Sequence, residues 1–389
     1  MTRSTRVSRS LLFSIQLGSK RNTLKIKFLA LWLALWLAMA VFVVPFLALP
    51  VQAQPPCNFN VIATLDVGDS PFGVTTSPDG TTVWIANSGG LFANSNKVTV
   101  LNASTFAIES VITVGNFPED IAFTSDGSQA FVTNSSDATV SVIDTASRTV
   151  TQTINLATIP LTFPFGIVVG KNDRKVFVTS ASAEFDGSDQ NIAVLDITNP
   201  SNVTLASTIQ VPGFGGRPAI RPIDNELIVP VAPSESGPPK LVVINPSSQN
   251  IKHEIQLAGS TAFPNDMAVT PDGRFAYVSL FDFSGGTGGV WVVNLKTRST
   301  VTVINTGDPL VHGIGITPDG EFVFATNFAA GSNSVSVIDT DTNTIVATIP
   351  TGPQPNEVAV TLDGERGFIT NQNGTTNDVT VFCIPDDGN

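Results

Sequence analysis

The chain has 389 residues, 13% of them charged, with 31 glycines, 26 prolines, 25 phenylalanines and a formal net charge of −12. That apolar, turn-rich composition excludes an intrinsically disordered chain. The acidic balance excludes a surface built to hold phosphate backbones, and nucleic acid with it.

Charge is unevenly spread. Arg3, Arg6, Arg9, Lys20, Arg21, Lys25 and Lys27 are the basic residues of positions 1–53, which carry no acid. Beyond position 53, 13 basic groups therefore face 32 acidic ones, a net −19. Cations, sugars and basic partners suit such a surface. An apolar run follows Lys27 over residues 28–49, and Val51-Gln52-Ala53 sets small residues at the −3 and −1 positions of a cleavage site. Positive region, apolar core and small-residue site are the three parts of a secretory signal. The core is also long enough to span a bilayer as a retained anchor, although Pro45 breaks a helix near its end. The reading is a signal peptide or N-terminal membrane anchor at 1–53 and an exported domain at 54–389, placed in the periplasm, at the cell surface or outside the cell.

From residue 57 onward one pattern recurs. Its clearest copy opens with Pro118-Glu119-Asp120-Ile121-Ala122-Phe123 and turns at Ser125-Asp126-Gly127. A strand FVTN at Phe131–Asn134 follows, then TVSVIDT at Thr139–Thr145, a tight turn, and VTQTI at Val150–Ile154. Apolar Val140 and Val142 alternate with polar Thr139 and Ser141, the period-two pattern of a strand. Asp-Gly supplies the positive-φ residues of a tight hairpin. Short polar side chains in the second turn bond nearby backbone. Four short strands of this kind make one antiparallel blade.

The opening element recurs at Pro71, Pro118, Pro164, Pro218, Pro264 and Pro355, with Val311 in place of the proline in the sixth copy. Asp-Gly turns follow at Gly80, Gly127, Gly273, Gly320 and Gly364; the third copy has Asn172-Asp173, and the irregular fourth has Asp224-Asn225 arriving early. The prediction is an all-β, seven-bladed propeller of four-stranded antiparallel blades, an arrangement that limits exposed strand edges. These Asp-Gly turns, FVTN-like strands and VSVIDT-like strands resemble the YVTN-type β-propeller repeat family over nearly all of residues 61–384. That family implies the fold and leaves function open, since its relatives span enzymes, cell-surface proteins and binding modules.

The seventh copy ends after its third strand, DVTVF at Asp378–Phe382. The missing fourth strand is at the other end of the domain, where Ile62–Gly68 matches Val346–Gly352. The N-terminal strand is thus predicted to complete the last blade. This alignment sets Cys383 and Cys57, the chain's two cysteines, at the positions of Asp339 and Asp341, which face each other across a tight turn. Cα atoms there are expected near the ~5.5–6 Å that a disulfide prefers, and export supplies the redox setting.

In such a propeller the first strand of each blade lines the central channel, and its two residues after the opening position lie near the channel mouth. The candidates this brings together are Glu119, Asp120, Asn265, Asp266, His312, Asn356 and Glu357. Oxygen-rich groups with a neutral imidazole suit a divalent cation such as calcium; a hydrated polar channel is the structural alternative. Loops on the same face carry Phe92, Phe185, Phe281, Phe283 and Phe328, either as a binding surface or as packing onto the ring. No phosphate loop, haem-attachment motif or nucleophile elbow is present, and two histidines supply no multi-histidine metal site. No catalytic residue is assigned. Two functions remain open. One is a monomeric binding module with no cofactor, directed through its channel-mouth loops at a protein or glycan of the cell surface. The other is a lactonase-like hydrolase or a lyase that uses a channel-mouth divalent cation to polarise a carbonyl.

Overall fold

A computed structural model describes residues 57–89, 95–159, 161–181, 191–232, 237–257, 262–282, 288–372 and 377–385. The expected signal or anchor segment lies outside these residues. The described residues are built from strands, with one three-residue 3-10 turn (Ser135–Asp137) among them.

The strands form seven separate antiparallel sheets, one per repeat. In blade two they are Pro118–Phe123, Gln129–Asn134, Thr139–Asp144 and Thr149–Asn155, running from the innermost strand to the outermost. The Asp-Gly turn is fixed by its own side chains. Thr124 Oγ1 donates to Asp126 Oδ1 at 2.7 Å and accepts the Gln129 N–H at 3.1 Å, while Gly127 takes φ 69°. Serine or threonine two residues before the aspartate repeats this lock at Ser77, Thr270, Thr317 and Thr361. Second strands carry a central aromatic that fills the space between blades: Trp84, Phe131, Phe177, Tyr277, Phe324 and Phe368 are at most 2% exposed. Blade four has Ile228 at this position.

The inner strands of successive blades lie side by side, and blade seven returns to blade one. The N-terminal strand Val61–Asp66 pairs antiparallel with Asn377–Cys383, from Ala63 opposite Val381 to Asp66 opposite Asp378, and completes the last sheet. Cys57 and Cys383 are disulfide-bonded with Cα atoms 5.9 Å apart. Both features match the sequence reading.

Blade four departs from it. Its inner strand is split into Phe214–Gly215 and Ala219–Ile220, both paired with Leu227–Ala232. Gly215 stands opposite Val231 as Pro118 stands opposite Asn134. The pair equivalent to Glu119-Asp120 is therefore Gly216-Arg217, where alignment on the opening proline gives Ala219-Ile220. Pro218 mimics the opening proline of the other blades three residues too late. At Gly216 a Cβ would sit 2.2 Å from the carbonyl oxygen of Asn265, so only glycine permits this approach of blades four and five.

Candidate functional site

A ring of side-chain hydroxyls holds the inner strands in register. Thirteen residues after the second variable position, five blades carry Thr133, Thr179, Ser279, Thr326 or Thr370. Each hydroxyl accepts the N–H of that position in its own blade. Each also donates to the carbonyl of the first variable position in the next blade: Phe165 (2.8 Å), Gly216 (2.8 Å), His312 (2.9 Å), Asn356 (2.9 Å) and, across the ring closure, Phe72 (2.6 Å). Blades one and four have Ala86 and Pro230 at this place and no hydroxyl to give. The two carbonyls left over belong to Glu119 and Asn265. Both accept from Arg217, the first from Nη2 at 3.5 Å and the second from its main-chain N–H at 2.8 Å.

Arg217 is 5% exposed and is also the counter-charge of the channel. It forms an ion pair with Glu357, and its Nε lies 3.6 Å from Asp120 Oδ2. The aspartates are engaged further by backbone. Asp120 accepts the N–H of Ile121 (2.8 Å) and, from the next blade, of Ile167 (3.0 Å). Asp266 accepts those of Met267 (2.7 Å) and Ile314 (2.7 Å) in the same manner. Glu119 Oε1 accepts from Ser135 Oγ at 3.0 Å, and Oε2 has no partner among the described residues. Asn265 Nδ2 donates to the His312 carbonyl at 3.2 Å, and Asn356 Nδ2 to Gln372 Oε1 at 2.8 Å.

Burial sets the titration of this cluster. It pushes the Glu119 carboxyl up to about 7 and that of Asp266 up to about 6, against the opposing pull of Arg217. Asp120 is raised for the same reason. His312 is depressed to about 3 by burial and by the neighbouring Arg217. Its ring is neutral, and Nδ1 donates to the Asn356 carbonyl at 3.2 Å.

Aromatic rings complete the plug. The Arg217 guanidinium lies over Phe72 (5.5 Å) and Phe165 (5.1 Å). Phe72 meets the edge of His312 at 5.5 Å, and Phe281 and Phe328 pack on the same imidazole at 5.6 and 5.1 Å. The mouth is lined by packed aromatic rings and ion pairs. Phe281 and Phe328 hold face loops onto the ring, while Phe92, Phe185 and Phe283 lie outside the described residues.

The structure thus gathers all seven predicted residues at one level of the channel. It adds Arg217, which sequence reasoning missed because Pro218 draws the alignment of blade four out of register. A constant spacing would have found it: counting back thirteen residues from Pro230 gives Arg217, as counting back from Thr133 gives Asp120. Most carboxylate oxygens of the cluster are engaged by Arg217, Ser135 and backbone N–H groups, while Glu119 Oε2 and Asn356 Oδ1 have no partner among the described residues. No group of three or more His, Cys, Asp or Glu among the described residues has metal-holding geometry.

Six four-stranded sheets and one whose inner strand is split in two, set around a plugged channel, define a seven-bladed β-propeller. The model of the YNCE-like beta-propeller family matches residues 78–385, and the chain belongs to that family. A seven-bladed beta-propeller protein of Mycobacterium tuberculosis is 24% identical over 351 residues, covering 81% of this chain and 83% of the relative. Among solved structures, Kuenenia stuttgartiensis hydrazine synthase superposes with a TM-score of 0.70 at 22% identity, over 84% of this chain and 98% of that one. That likeness is one of fold. The resemblance read from the sequence holds at the level of a β-propeller family, and the family that matches is the YNCE-like one.

Proposed function

We propose that this chain is an exported, non-enzymatic binding module that presents its channel-mouth loops to a protein or glycan at the cell surface or in the periplasm. The observation that carries this reading is that most ionisable groups of the mouth are already engaged by Arg217 or by backbone. Glu357 and Asp120 face Arg217, Asp266 faces backbone N–H groups, and His312 is neutral and stacked. A rigid plug with polar loops above it is a platform for recognition. Export accords with the Cys57–Cys383 bond, since disulfides persist in oxidising compartments. The acidic surface favours a basic or neutral partner. The cation-dependent hydrolase reading would require Glu357, Asp120 and Asp266 to leave Arg217 and the backbone.

The test is a glycan array and a pull-down of surface proteins with the ring and with a variant lacking Phe328–Asn333. Loss of a captured partner on deletion supports the proposal; retention of every partner overturns the use of this face. Metal analysis before and after chelation addresses the alternative. A stoichiometric divalent ion lost with Asp266→Ala would reinstate it.

A further inference from the structure

Between neighbouring blades the last tight turn of one blade leans on the blade before it. The turn ends on a residue with positive φ, and that side chain reaches back across the seam. Arg148 (φ 56°) of blade two forms an ion pair with Glu109 of blade one. Gln249 (φ 60°) of blade four accepts from Ser207 Oγ of blade three at 2.9 Å. Asn343 (φ 54°) of blade six accepts from the Tyr277 hydroxyl of blade five at 2.8 Å. At each of these three seams the partners are complementary.

The seam between blades four and five breaks this rule. The turn residue is Arg298 (φ 60°). The outer-strand position that holds Glu109 in blade one holds Lys252 in blade four: Ile108 stands opposite Leu101 and Ile251 opposite Ile244, and the next residue in each strand is the one in question. Two cations therefore occupy the places of an Arg–Glu pair. They line a cleft of about 260 Å³ together with Arg221, His253 and Lys296, floored by buried Ile228, Ile255 and Leu295. The cleft's two carboxylates are already engaged. Glu226 pairs with Lys252 and Arg221, and Asp224 with Arg221. Lys296 and Arg298 have no ion pair among the described residues. With Lys252 shared with Glu226, the cleft's unpaired cations are Lys296 and Arg298, and the four basic side chains Arg221, Lys252, Lys296 and Arg298 outnumber the two carboxylates, which leaves a positive site open to an anion. This concentration of positive charge occurs in a domain whose net charge is −19.

We propose that the cleft between blades four and five is an oxyanion-binding site, in which a phosphate or carboxylate group sits between Lys252 and Arg298 with Lys296 at the rim. Charge-assisted hydrogen bonds from ammonium and guanidinium donors are the interactions such a group takes. The site is independent of the channel-mouth reading.

The experiment is calorimetric titration and thermal unfolding of the exported domain with inorganic phosphate and, in a separate arm, acetate, at ionic strength held constant with NaCl. The expected result is saturable binding of at least one anion that raises the melting temperature, and the arms identify which oxyanion is preferred. Arg298→Gln should weaken binding at least tenfold. Lys252→Glu, which sets a carboxylate at the outer-strand place of Glu109, should abolish binding; it also removes the Lys252–Glu226 pair, so its stability is measured separately. Arg298 is exposed, so its variant remains readable even if Lys252→Glu folds poorly. No saturable binding of either anion, or binding unchanged in Arg298→Gln, overturns the proposal.

Discussion

Arg217 does three jobs at one position. It satisfies two carbonyls that the hydroxyl ring leaves open, neutralises buried carboxylates, and stacks between Phe72 and Phe165. Breaking a buried ion pair from one side leaves an uncompensated charge, so Arg217→Met is expected to cost about 3–5 kcal/mol. Arg217→Met with Glu357→Gln should recover some of that loss, and urea unfolding of the four-member cycle measures both. The titrating neighbours predict a pH profile. Glu119 holds its proton more tightly in the folded state, rising from 4.5 to about 7. Its contribution to stability is therefore full below 4.5 and is lost as pH rises toward about 7, on the order of a few kcal/mol. His312 works in the opposite sense: its folded value is depressed from 6.5 to about 3, so its contribution is present above 6.5 and lost as pH falls toward about 3. Between 4.5 and 6.5 the two slopes oppose each other, with Asp266 (3.8 to about 6) acting in the sense of Glu119, and above 6.5 the His312 slope has ended while that of Glu119 remains. Melts from pH 6.5 to 8 should show falling stability in the native protein and a flatter profile in Glu119→Gln.

At the scale of the strand, the hydroxyl ring is the device that turns seven sheets into one closed body. Thr326→Val would orphan the Gly313 N–H and remove one donor from the Asn356 carbonyl, both buried. The expected loss is about 1–3 kcal/mol by thermal or denaturant unfolding, whereas Ala86→Val, where no such bond exists, tests volume alone. Most of this architecture was legible in the amino-acid order because it is local. Alternation of apolar and polar residues, Asp-Gly turns and the thirteen-residue offset each lie within a single repeat. Blade four misleads because its inner strand is broken and its second strand has Pro230 in place of threonine, which removes both the N–H and the hydroxyl that mark the register elsewhere. The ionic centre was half legible. Its acids stand in sequence at a recurrent position, but their counter-ion sits in the one repeat where that position is displaced. The aromatic plug was not legible, since Phe72 meets Phe165, Arg217 and His312 from blades three, four and six, which are distant in the chain.

At the scale of the molecule, closure depends on the pairing of Val61–Asp66 with the last blade and on the Cys57–Cys383 bond, which spans 326 residues of chain. In the chain-entropy model a cross-link over so long a loop stabilises by about 6 kcal/mol, before any strain is subtracted. Cys57→Ser with Cys383→Ser should lose up to that amount in denaturant unfolding, and reduction of the native protein should reproduce the loss. A loss below ~1 kcal/mol would mean that strand pairing alone holds the ring. The same seam fixes how the domain answers a mechanical load. Its two ends meet at adjacent strands of one blade, so tension applied between them is carried by a covalent sulfur bridge, and no blade lies in the path of the force. With the bridge reduced, the same tension falls on the hydrogen bonds between Val61–Asp66 and Asn377–Cys383, which then open rung by rung like a zip. Tethered at either end, the oxidised ring can be pulled without being unwound.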